Sequence, residues 1–193
     1  MRDDAIATAL AALKASPDGW LELPDRRRLR GAFGPWTAPD DGGPDAGLLR
    51  RAALYTASVE RALPVWESAF PNDRRPHEIV AAVLPALRGE RAEAEVDAIA
   101  DALRRDVEPL GSDLERTAAF HAGAAAVALS WAAWDGDLDP ELDPLDSTDR
   151  DLDEPPVDAL AARAVAGEDP EARRAFWRWY ISEAFPAAYA VVA

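Results

Sequence analysis

Leu48, Ala52, Tyr55, Val59, Leu63 and Trp66 follow one another at spacings of four, three, four, four and three. Only an α-helix brings such a set onto one face. A rod of about six turns with one apolar side needs other elements to cover it. A sheet does not supply them, because strand-type alternation is nearly absent along the chain and apolar residues recur at threes and fours. At 193 residues one domain is the expectation. A chain this long buries enough surface to fold without disulfides or metals. We therefore expect a single all-α domain over 1–193, with about seven to eight helices.

Punctuation residues divide the remaining pattern. Ile6, Leu10 and Leu13 mark a first helix that stops at Ser16-Pro17-Asp18-Gly19. A short helical piece runs from Asp25 to Phe33, followed by a Gly/Pro loop from Gly34 to Pro44. Pro64, inside the main stripe, predicts a kink near its end. Pro76 opens a helix that buries Ile79, Val83 and Leu87 and ends at Gly89. Another helix spans about Ala92 to Arg105, with Val96, Ile99 and Leu103 inward. Ser112-Asp113-Leu114-Glu115 reads as a capping box. The Ala-rich helix behind it carries Phe120, Val127, Trp131 and Trp134 on one side, and its small residues suit a central position. Val157, Leu160, Ala161 and Ala164 form a short helix closed by Gly167. Asp169-Pro170 starts the last helix, whose inner face is Trp177, Tyr180, Ile181, Ala184 and Ala188, with an interruption expected at Pro186.

Charge narrows the function. The chain has 36 Asp+Glu against 21 Lys+Arg, a formal net charge of −15, and no Cys. That balance argues against direct binding of nucleic acid or an anionic membrane, both of which present phosphates. Without Cys there is no thiolate nucleophile or thiolate metal site. No uncharged apolar run is long enough to span a bilayer, and the N-terminal residues do not resemble a signal peptide. A cytoplasmic protein with no membrane or nucleic-acid partner is the expectation. Two-thirds of the net negative charge sits between Asp135 and Asp158, where 11 acids face a single base, Arg150. This long Asp/Pro-rich loop, about 135–156, cannot be a long helix.

Residues that could carry chemistry are few. Phosphate-binding, nucleophile-elbow and zinc-protease motifs are all absent. His77 and His121 stand 44 positions apart; His121 reads as a hydrogen-bonded core residue and His77 as a local helix-start contact. Asp135 to Asp146 superficially follows a calcium loop, but Pro140 occupies the position that requires Gly. No metal, cofactor or catalytic residue is expected. Arg26-Arg27-Arg28 reads as an intramolecular partner for the acidic loop or as a solvated face. Eleven acids so close together repel one another, which favours a basic protein partner. The candidate contact residues are Asp135, Asp137, Asp139, Glu141 and Asp143, together with Trp36 in the Gly/Pro loop.

Two segments resemble a known family. Leu63-Pro64-Val65-Trp66-Glu67 with Phe70-Pro71-Asn72-Asp73-Arg74-Arg75-Pro76-His77-Glu78-Ile79 is similar to the signature of an all-α immunity-protein family, the fifth of those numbered in bacterial polymorphic toxin systems. Arg174-Ala175-Phe176-Trp177-Arg178-Trp179-Tyr180, followed by Ala184-Phe185-Pro186, resembles its C-terminal helix, and the Asp/Pro-rich run resembles its acidic connection. The likeness spans about Leu48 to Pro186. One departure is Val157-Asp158-Ala159, which lacks an aromatic before the Asp. The resemblance implies a non-enzymatic inhibitor that binds and neutralises a toxin domain. Charge suggests a nuclease toxin with a basic groove. The alternative is a small helical regulator or enzyme that uses loop carboxylates to hold a metal. Physically, the first motif is a helix–turn–helix joint: Trp66 and Phe70 pack, Pro71 and Pro76 stiffen, Asn72 and Asp73 turn, and Arg75 is expected to tie Glu67 or Glu78.

Overall fold

A computed structural model describes residues 2–34, 45–134 and 157–192. Among these residues all regular structure is helical: α1 (Arg2–Ala15), α2 (Leu23–Gly31), α3 (Ala46–Ala69), α4 (Arg75–Leu87), α5 (Glu93–Val107), α6 (Thr117–Trp134), α7 (Val157–Ala166), α8 (Pro170–Trp179) and α9 (Phe185–Tyr189). A π turn, Tyr180–Ala184, joins α8 to α9 without a break. Counted as one rod, these make the eighth helix of a single all-α domain. No helix among the described residues is long and apolar enough to cross a membrane.

The core forms around α3 and α6. Ala52, Tyr55, Val59 and Trp66 of the main stripe are buried, while Leu48 and Leu63 lie at its margins. Asp45 starts α3 by accepting from the backbone N–H groups of Gly47 and Leu48. The helix continues five residues past Pro64, whose ring is exposed. On α6, small residues do what the sequence suggested: α3, α4, α5 and α7 all pack against it. Gly123 marks a close approach, since a Cβ there would come within 2.5 Å of Val107 Cγ2 and 2.7 Å of Trp66 Cζ3.

Four local expectations need correction. On α1 the buried positions are Ala5, Ala9 and Leu13, with Ile6 and Leu10 only partly covered. The cap before α6 is Asp113, which accepts from the Glu115 backbone N–H; the Ser112 hydroxyl instead donates to the Pro109 carbonyl. Val127 is buried as expected, but Trp131 is 38% exposed, and the rest of the inward face of α6 is built largely from Ala119, Ala122, Ala125, Ala126, Leu129 and Ala133. An Ala-rich helix offers apolar residues on every side, so large side chains do not mark its inner face. At the C-terminal end the helix is not broken at Pro186. The missing proline N–H falls just after the π turn, which lets the chain stay helical through it.

Candidate functional site

The joint between α3 and α4 is built from its turn outward. Phe70 caps α3 by donating its N–H to the Trp66 carbonyl, and its ring packs 4.5 Å from that of Trp66. The buried Trp66 indole donates to the Asp73 carbonyl at 3.3 Å. Pro76 is buried in the first turn of α4, while Pro71, Asn72 and Glu78 are exposed. Arg75 ties neither Glu67 nor Glu78. Its guanidinium binds Asp73 at 2.6 Å and Asp106 at 2.8 Å, and donates to the Ala102 carbonyl at 3.0 Å. The two-residue spacing from Asp73 lets that carboxylate also cap the Arg75 N–H, and α5 supplies the second acid. The hydrogen bonds from Arg75 hold the Asp73 carboxyl below the usual carboxylate range. Glu67 is taken by others: Arg74 donates to it at 3.1 Å, and His77 Nε2 lies 2.8 Å from the same oxygen. These contacts tie the end of α3, the start of α4 and the end of α5 together.

The aromatics of the last helix lead to a buried charge cluster. Trp177 and Tyr180 are fully buried, and Trp179 lies half-buried with the Arg61 guanidinium 4.4 Å above its ring. Tyr180 donates its hydroxyl to Asp158 at 2.9 Å. Asp158, also fully buried, accepts from Arg26 at 2.6 Å and from Arg30 at 2.8 Å. Arg26 lies 5.4 Å from the Trp177 ring and Arg30 lies 5.6 Å from that of Tyr55. Burial alone would push the Asp158 carboxyl up, but the two guanidiniums and the Tyr180 hydroxyl outweigh it and hold the group below its ordinary value. Burial and the neighbouring carboxylate push the Tyr180 phenol well above its ordinary value. The run Arg26-Arg27-Arg28 divides between its two expected roles: Arg26 is buried on Asp158, the last acid of the acidic stretch, while Arg28 is exposed and pairs with Asp25. The four-residue spacing of Arg26 and Arg30, around buried Leu29, was the available signal.

The predicted contact residues Asp135, Asp137, Asp139, Glu141 and Asp143, and Trp36 with them, lie outside the described residues. The ends of their segments are described. Arg51 donates to the Gly34 carbonyl at 3.2 Å and pairs with Asp45 at 3.5 Å, joining the two sides of residues 35–44. Asp158 stands two positions after residues 135–156. His121 is half-buried, and its Nδ1 has no hydrogen-bond partner among the described residues. Burial, with nearby Arg163, lowers its pKa. The described residues hold no group of three or more His, Asp or Glu placed to bind a metal.

No curated protein matches the chain. A family model described as immunity protein Imm5 matches residues 6–187.

Proposed function

The chain belongs to the Imm5 immunity-protein family, and from that membership we propose that it neutralises a toxin domain by binding it, with no chemistry of its own. The observation that carries this reading is a family match covering nearly the whole chain. The proposed contact face is the acidic segment, through Asp135, Asp137, Asp139, Glu141 and Asp143, with Trp36 as an aromatic anchor. Residues 135–156 hold ten acids and one base. A nuclease with a basic groove is the proposed partner, since carboxylates strung along a chain compete with phosphates for the same Arg and Lys side chains. Complementary charge also speeds encounter. We place the action in the cytoplasm of the producing cell.

The test first searches the genes beside this one for a toxin domain and then uses that domain. That domain is expressed from an inducible promoter in a bacterial host, with and without this chain. Restored growth and a one-to-one complex on gel filtration are the expected results. Unchanged killing in the presence of folded, abundant protein would overturn the proposal. Degraded nucleic acid in the unprotected cells tests the nuclease assignment separately.

A further inference from the structure

A groove of about 310 Å³ opens where α1 ends and α2 begins. Its apolar lining includes Ala12 and Ala15, one turn apart on α1, and the half-buried Trp20. The short alanine side chains leave the space that a larger residue would fill. Asp18, Glu22 and Asp25 also line it, and no base does. The volume is at the low end for small-ligand sites, roughly 300–1,000 Å³, and suits a single long side chain.

Two arginines of α8 hold the loop between α1 and α2. Arg174 donates to the Ser16 carbonyl at 2.9 Å and Arg173 to the Asp18 carbonyl at 3.1 Å. Arg173 also lies 4.7 Å from the Trp20 ring, which packs 5.9 Å from that of Trp177. Gly19, at a φ of 76°, lets the loop pass where a Cβ would meet the Pro170 carbonyl. The groove is thus preformed, and binding does not have to order it. Its charge is only partly met from within. Asp25 pairs with the exposed Arg28, whereas Glu22 does not cap α2 and has no ion pair among the described residues. A long apolar stem carrying a cationic fork matches such a lining, which is the description of arginine.

We propose that this groove receives an arginine side chain of the partner protein, with its methylenes along Ala12, Ala15 and Trp20 and its guanidinium among Asp18, Glu22 and Asp25. The identity of the partner rests on the proposed toxin reading; the chemistry of the groove does not. The first probe is therefore the peptide acetyl-Gly-Arg-Gly-amide, titrated into the whole chain and followed by nitrogen-15 NMR. The backbone amide signals of Ala12, Ala15 and Trp20 should shift and saturate at about millimolar peptide. The same peptide with citrulline, neutral and of nearly the same shape, should leave them in place. Glu22→Gln should weaken the arginine peptide about threefold. Ala15→Arg, at an exposed helix position, fills the groove with a tethered guanidinium and should abolish the shifts. Ala11→Arg adds the same charge outside the lining and should leave affinity within about twofold. Shifts confined to other residues, or an equal response to citrulline, would overturn the proposal. The second probe is the catalytically inactivated toxin domain found among the neighbouring genes. Ala15→Arg should raise its Kd about tenfold and Ala11→Arg should not. Wild-type Kd in folded Ala15→Arg would overturn the role of the groove in the complex. Failure of the wild-type chain to form any complex would overturn the toxin reading instead, whatever the peptide shows.

Discussion

Asp158 and Arg26 stand 132 positions apart in the chain and 2.6 Å apart in the fold, with neither side chain reaching solvent. Around that contact α2, α7 and the C-terminal helix meet. A carboxylate in such a place needs its cations, and the cations need it. Removing either partner leaves an uncompensated buried charge, which costs far more than the net value of the pair.

Asp158→Asn should accordingly destabilise the protein by about 3–5 kcal/mol at pH 7. Denaturant unfolding measures this directly. The pH dependence has a definite sign. The native state depresses the Asp158 pKa, so its contribution is complete above the unfolded carboxyl value of about 4. It is lost as pH falls through the folded value. The Tm difference between wild type and Asp158→Asn should therefore be widest near neutrality and narrow below about pH 4. A gap of constant width from pH 7 to pH 3 would contradict the assignment.

Trp66→Ala should cost about 3–5 kcal/mol, because the ring is buried between Phe70 and α6. Arg75→Ala should cost less, about 1–2 kcal/mol, since its pairs with Asp73 and Asp106 are partly open to water. Binding per folded molecule should survive both changes. A well-folded Arg75→Ala protein that no longer protects would show that this joint touches the partner.

Gly123→Ala tests the central crossing. The added methyl would come within 2.5 Å of Val107 Cγ2 and 2.7 Å of Trp66 Cζ3, so those side chains or the helices that carry them must shift. A loss of about 1–3 kcal/mol is expected from overpacking. Helix propensity pulls the other way by up to about 1 kcal/mol. Net stabilisation in a thermal melt would mean that the crossing is looser than described.

Replacing Asp135, Asp137, Asp139, Glu141 and Asp143 with Asn or Gln removes five negative charges while keeping size and polarity. Folding should be unaffected or slightly improved. Association with the toxin domain should slow by about tenfold at low salt, and the difference should shrink toward about 1 M salt as the screening length falls to about 3 Å. Stopped-flow mixing at several ionic strengths would show it. Equal rates at every salt concentration would leave the Trp36 segment as the proposed contact.

Much of the architecture was legible in the chain because its causes are local. The α3 stripe, Gly89 and Gly167 closing their helices, and Asp169 capping α8 each depend on residues within a turn or two. The joint motif was legible as architecture too, since its prolines and aromatics act on neighbours in sequence. Partners were not. Arg75 had acids on both sides within reach, and only the packing of α5 against α4 brought Asp106 to it while Arg74 and His77 took Glu67. Trp131 read as inward because α6 is apolar all round, and only its contacts with four helices decided which side was covered. For Arg26 the sequence left an acidic partner and a solvated face both open, because an isolated arginine prefers water. Asp158 reverses that preference, since a desolvated cation is tolerated where a carboxylate meets it. Periodicity and turn chemistry, which act over a few residues, determined the helices. The choice among chemically equal partners depends on distances between residues remote in the chain, and only the tertiary structure decided it.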